Sequence, residues 1–182
     1  MIPLKTATTI AHEVVQQLVP HCQRIEIAGS IRRKKSTVKD IEIVCIPKQV
    51  EVPGQIDLFG TASPITVRDP EFMRVVDSYG FLRGKSTGKY MQRITADHAT
   101  IDIFVAEPDT WGYILMLRTG SKEFNINMIN RLKDRNYHCK EGKVYWRDRP
   151  VIVREEQDMF RFAGIVYTRP EDRHAKKTFH YG

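Results

Sequence analysis

Gly29-Ser30-Ile31-Arg32-Arg33, leading into Asp40-Ile41-Glu42-Ile43, sets a glycine-serine turn and two arginines just ahead of an alternating acidic and apolar run. Along a β-strand successive side chains alternate faces, so Asp40 and Glu42 point one way while Ile41 and Ile43 enter the opposite, packed layer. Gly29-Ser30 breaks a preceding strand and opens a short helical turn, whose free backbone donors suit a phosphate. Much later, Thr100-Ile101-Asp102-Ile103-Phe104-Val105 repeats the alternation. A carboxylate placed between β-branched residues on a strand needs a partner to justify its burial, and a divalent cation is the obvious one. Asp40, Glu42 and Asp102 therefore read as one metal site beside a phosphate loop.

The flanking sequence supplies the scaffold. Ile10, Val14, Val15 and Leu18 recur at helical spacing until Pro20, predicting a helix from about Thr6 to Val19, then a strand from Arg24 to Ala28 and a second from about Lys39 to Ile46. From Pro47 to Asp69 the turn formers Pro53-Gly54, Phe59-Gly60 and Ser63-Pro64 predict an irregular excursion, in which Asp57 reads as a turn or cap residue. Pro70 starts a helix that Gly80 ends; Phe81 to Gly84, Tyr90 to Thr95 and Ala99 to Val105 read as strands. Beyond Glu107-Pro108, Asp109 is expected to cap a helix through Trp111 and Leu117, and Ser121 another reaching about Arg135. A hairpin turning at Glu141-Gly142 and a last helix from Glu155 to Ala163 follow, with a basic tail whose Lys176-Lys177 reads as solvated. The expectation is an α+β fold in two domains, residues 1–107 carrying the carboxylates on a mixed sheet and residues 108–182 forming a smaller α/β subdomain.

Composition narrows the class. A chain of 182 residues with 41% hydrophobic content can build a core without staples. Cys22, Cys45 and Cys139 are scattered with no CxxC pair, which gives neither a disulfide framework nor zinc spacing and fits a reducing compartment. The histidines lack paired spacing with cysteines or acids. With no apolar leader and no run of membrane-spanning length, the expected protein is soluble, intracellular and monomeric, without a membrane partner. A net charge of +7, from 29 basic and 22 acidic side chains, favours polyanionic partners without naming one.

The glycine-serine-arginine turn, the Asp40-Ile41-Glu42 pair, Asp102, and Thr119-Gly120-Ser121 with Phe124-Asn125 follow in an order that resembles the palm and thumb of family X DNA polymerases. Tyr167-Thr168-Arg169-Pro170-Glu171-Asp172-Arg173 looks like that family's closing Tyr-x-x-Pro-x-x-Arg. The resemblance implies a template-directed polymerase that transfers nucleotides from nucleoside triphosphates to a DNA 3′-hydroxyl, with primer/template or gapped DNA as partner and a repair role. It implies that Asp40, Glu42 and Asp102 hold two magnesium ions, with manganese as a substitute, and that Asp102 lies nearest the nucleophile. Gly29, Ser30 and Arg33 match triphosphate ligands, while Arg32 reads as structural. Thr119 and Gly120 fall near the sugar, Ser121 joins the nucleotide-binding set, and Asn125 reaches toward the base. Grip on DNA would rest on Lys34, Lys35, Lys85, Lys89 and Arg93.

Two positions depart from the family pattern. Leu117-Arg118 stands where a Tyr-Phe pair is common, which implies relaxed sugar choice, and the second metal carboxylate is Glu42 rather than aspartate. The chain also has no room for the family's lyase lobe or helix-hairpin-helix clamp and so resembles the smallest, viral-type members. A transferase that tags RNA, a protein or a small molecule without a template, and a silent nucleotide-binding module, are the alternative readings.

Overall fold

The computed structural model describes residues 1–56 and 62–173. In chain order come β1 (Ile2–Pro3), α1 (Leu4–Leu18), β2 (Cys22–Ile27), α2 (Gly29–Arg32), β3 (Thr37–Val38), β4 (Ile41–Pro47), β5 (Gln49–Ile56), β6 (Ala62–Arg68), α3 (Pro70–Asp77), β7 (Gly80–Arg83), β8 (Tyr90–Ile94) and β9 (Thr100–Val105). Then follow α4 (Trp111–Thr119), α5 (Lys122–Lys133), β10 (Tyr137–Lys140), β11 (Lys143–Trp146), β12 (Arg149–Val151) and α6 (Glu156–Ala163). The fold is α+β with a mixed main sheet, in the order β2-β4-β9-β8-β7. Only β4 and β9 run parallel in it; the other pairs are antiparallel.

Strand alternation divides that sheet into two chemically different faces. Ile41, Ile43, Ile101 and Ile103 point to the side covered by α1 and α3, where they pack with Val14, Leu18, Phe72 and Val76. The opposite face carries Glu42, Val44 and Ile46 on β4, beside Asp102 and Phe104 on β9. There Val44, Ile46 and Phe104 pack with Trp111 and Leu115 of α4. The apolar half of this face is thus roofed by α4, and the carboxylates lie at its end. A further core joins α4, α5, α6 and the β10-β11-β12 sheet through Met116, Phe124, Met128, Val144, Met159 and Phe160.

Local signals set the element ends. Asp69 caps α3 by accepting from Glu71 N at 2.9 Å, with Pro70 in the first turn, where a missing N–H costs nothing. Ser121 Oγ accepts from Phe124 N at 3.3 Å and starts α5. Asp109 does not cap α4: it lies inside a 3-10 turn, Pro108–Thr110, closed by a box between Glu107 and Thr110.

The expected irregular excursion over 47–69 is instead a hairpin, β5 against β6, paired from Gln49↔Arg68 to Pro53↔Pro64. Its prolines are tolerated because this two-stranded ribbon sits outside the main sheet and keeps unpaired outer edges. Asp57 and Lys176-Lys177 lie outside the described residues. The third strand of the small sheet, β12, carries a proline and gives no alternation to read. Among the described residues, no helix is long and apolar enough to cross a membrane.

Candidate active site

The parallel register sets Glu42 directly beside Asp102, with Asp40 in the bend just before β4. Glu42 folds back over the start of α2. Gly29 there has φ +60°, a backbone conformation that calls for glycine, and a Cβ on it would stand 1.8 Å from Glu42 Oε2 and push that carboxylate aside. Burial first, then the neighbouring Asp40 charge and the weaker Asp102 charge, push the Glu42 carboxyl up to about 7 against the pull of Arg33 and Arg118. Asp102 is only 8% exposed, and its Oδ1 accepts from Tyr90 Oη and Gln92 Nε2, each at 2.9 Å.

Three carboxylates supply the hard oxygen donors that magnesium takes, and the crowding that lifts Glu42 is what a divalent cation relieves. The donor chemistry therefore fits the metal. Among the described residues, no group of three acidic, histidine or cysteine side chains forms a ready-made cage, since Glu42 is turned toward Gly29.

Glu42 borders a cleft of about 680 Å³ that is also lined by Arg33, Arg118, Gly120, Lys122 and Asn125, among others. Arg33 donates to the Thr119 carbonyl and, at 3.1 Å, to Ser30 Oγ, while its Nε is buried without a partner among the described residues. Burial depresses the Arg33 pKa, with Arg173 adding to the effect and Glu42 opposing it. Gly120, at φ +67°, lets Arg33 come close: a Cβ would meet its Nη1 at 3.0 Å. Asn125 Nδ2 donates to the Leu117 carbonyl at 2.7 Å, and its Oδ1 is buried without a hydrogen-bond partner among the described residues. The Arg118 guanidinium lies over the Phe104 ring, 3.9 Å from its centroid.

Several expected roles change. The Thr119 side chain is fully buried and accepts from Arg32 Nη1 at 2.7 Å, so it faces the protein and not the cleft. Ser121 spends its hydroxyl on the expected α5 cap, and it does not line the cleft. Arg93 was expected on the DNA-contacting surface, yet it is 1% exposed; it pairs with Asp77 at 2.8 Å and donates to the carbonyls of Val76, Arg83 and Gly84. It is a core residue that ties α3 to the β7-β8 turn. Lys34, Lys35, Lys85 and Lys89 are exposed, with Lys89 reaching Glu107 at 2.9 Å and Lys34 reaching Glu171 at 3.2 Å.

Sequence reading missed three residues. Tyr90 and Gln92 share the strand parity that aims at Asp102, a signal visible once β8 and β9 are aligned across their turn. Glu156 gave no signal, because it looks like any first-turn helix acid. It is 2% exposed and receives Arg32 at 2.9 and 3.0 Å, Arg173 at 2.5 Å and the Tyr167 hydroxyl at 3.0 Å. Burial pushes its carboxyl upward, but the bonds from Arg173 and Arg32 outweigh it and hold it below the ordinary range.

Residues 114–174 match the DNA polymerase beta thumb family. No curated protein sequence gives a significant match. Among solved structures, Leishmania infantum polymerase beta in a ternary P/T complex superposes at a TM-score of 0.68 with 18% identity, covering 95% of this chain and 76% of that one. The same polymerase in a ternary gap complex superposes at 0.70 with 17% identity, covering 94% and 70%. With a mixed sheet carrying the acidic pair and a thumb-type C-terminal region packed against it, the chain has the polymerase beta fold of the family X polymerases.

Proposed function

We propose that this chain is a template-directed DNA polymerase of family X type, moving nucleotides from nucleoside triphosphates to a DNA 3′-hydroxyl. The observation that carries the reading is the Glu42–Asp102 pair on adjacent parallel strands, with Glu42 bordering a cleft shared with Arg33 and Gly120. The Leishmania relatives, described as P/T and gap complexes, support primed or gapped DNA as the partner.

Asp40, Glu42 and Asp102 would hold magnesium, or manganese in its place; when bound, the metal supplies Lewis-acid activation of the primer hydroxyl and neutralises the departing pyrophosphate. Arg33 and Lys122 bring positive charge to the cleft for a triphosphate. Arg33 is held in place by Ser30 and the Thr119 carbonyl, so it enters the reaction already oriented. Asn125 lines the cleft on the side proposed for the base, and Gly120 lets the thumb backbone lie close to the sugar. Exposed Lys34, Lys35, Lys85 and Lys89 are placed to neutralise DNA phosphates. The palm spans residues 1–107 and the thumb 108–182 in this reading, with gap filling in repair as the natural task.

Extension of a labelled primer on open and one-nucleotide-gapped templates tests this directly. The expected product grows in the presence of magnesium and copies each template. Growth indifferent to template sequence would identify a template-independent transferase, and no growth with either deoxy- or ribonucleotides would remove the polymerase assignment.

A further inference from the structure

Tyr90 and Gln92 stand beside Asp102 on the neighbouring antiparallel strand, with Gln92 directly opposite Asp102 and Tyr90 directly opposite Phe104. Both side chains donate at 2.9 Å, and both bonds land on the same oxygen, Oδ1. Asp102 takes no other side-chain hydrogen bond among the described residues, so Oδ2 is left without a side-chain partner there. Tyr90 is itself fixed: its ring stacks on Phe104 at 5.1 Å and 17°, and the Arg118 guanidinium lies 3.9 Å from the centroid of that same Phe104 ring. A phenol held by ring stacking keeps its hydroxyl in one place at little entropic cost.

We propose that Tyr90 and Gln92 are positioning residues for Asp102: together they anchor one carboxylate oxygen so that the other is presented to a divalent cation. This rests on the reading of Asp102 as a cation ligand. Partners behind a ligating carboxylate set its orientation, and their loss typically weakens metal binding by about 10–100-fold. The stack makes the pair specific to this site, because Phe104 both seats Tyr90 and carries the thumb residue Arg118.

The test is manganese binding to the purified full chain without nucleotide, followed by the electron paramagnetic resonance signal of free Mn²⁺. Wild type, Tyr90→Phe, Gln92→Met and Asp102→Asn are compared, and thermal unfolding in EDTA checks that each is folded. Tyr90→Phe keeps the stack and removes only the hydroxyl, so it decides the question even where Gln92→Met fails to fold. Weakening of manganese binding by about tenfold or more in folded Tyr90→Phe supports the positioning role. Wild-type affinity in folded Tyr90→Phe, with affinity lost in Asp102→Asn, overturns the positioning role and leaves the carboxylate site standing. No manganese binding by wild type, or undiminished binding by Asp102→Asn, overturns the metal reading and this inference with it.

Discussion

Arg32 at the end of α2 and Glu156 at the start of α6 form a two-pronged pair, with guanidinium-to-carboxylate distances of 2.9 and 3.0 Å around a carboxylate that is 2% exposed. Arg173, fully covered, closes on the same carboxylate at 2.5 Å, and Tyr167 adds its hydroxyl at 3.0 Å. The Tyr-x-x-Pro-x-x-Arg run thus returns across the thumb to the turn that follows β2. Removing one partner of a buried, hydrogen-bonded charge leaves the others uncompensated. Glu156→Gln is expected to cost about 3–5 kcal/mol of unfolding free energy in urea titrations; a loss below about 1 kcal/mol would show that the cluster is not a tie between the lobes.

Glu42 makes stability depend on pH in the direction opposite to most carboxylates. Its carboxyl rises from 4.5 to about 7 on folding, so between those values the folded chain binds more protons than the unfolded one. Stability from this group is complete below about pH 4.5 and is lost as pH climbs through 7, by an amount on the order of 3 kcal/mol. In EDTA, Glu42→Gln is expected to gain stability relative to wild type between pH 5 and pH 8. An unchanged difference across that range would contradict the raised carboxyl.

The basic residues separate into two classes. Lys85→Ala and Lys89→Ala are each expected to lower the salt dependence of DNA binding by about one unit of slope, with folding intact. Arg93→Ala is expected to unfold the chain around the main sheet, since it takes from Asp77 its ion-pair partner and leaves several carbonyls without a donor around a residue that is 1% exposed. Filter binding across a salt series, paired with circular dichroism, distinguishes the outcomes. An Arg93→Ala protein with normal stability would return it to the surface set.

Leu117 and Arg118 line the cleft, at the position where the resemblance to family X polymerases implies a Tyr-Phe pair. Discrimination against ribonucleotides is expected to be no more than about 100-fold in wild type, the modest rejection that a pocket without a dedicated block achieves against one added hydroxyl. The double variant Leu117→Tyr with Arg118→Phe is expected to raise it at least about tenfold. Single-nucleotide incorporation with matched deoxy- and ribonucleotides measures the ratio, and unchanged discrimination would place sugar selection elsewhere.

The neighbouring placement of Glu42 and Asp102 was legible because strand parity is a strict local rule that their apolar neighbours reveal, whereas Asp40 lies in the bend before β4, where that rule does not apply. Helix ends such as the Ser121 cap and the Gly164 turn, with φ +65°, were readable for the same reason. What escaped depends on contacts between distant segments. Arg93 looks like any surface arginine until α3 places Asp77 beside it, and Thr119 looks like a cleft residue until Arg32 takes its hydroxyl. The β5-β6 ribbon was hidden by Pro53 and Pro64, which would be excluded from a central strand but face each other across this isolated pair.

Asp102→Asn tests the central claim most directly, in single-turnover extension of a gapped duplex with magnesium. Loss of a metal-binding carboxylate removes several kcal/mol of transition-state stabilisation, so the expected rate falls by at least about 1000-fold, the equivalent of about 4 kcal/mol, while the variant still folds and binds DNA. Extension by Asp102→Asn at the wild-type rate would contradict two-metal nucleotidyl transfer at the Glu42–Asp102 pair.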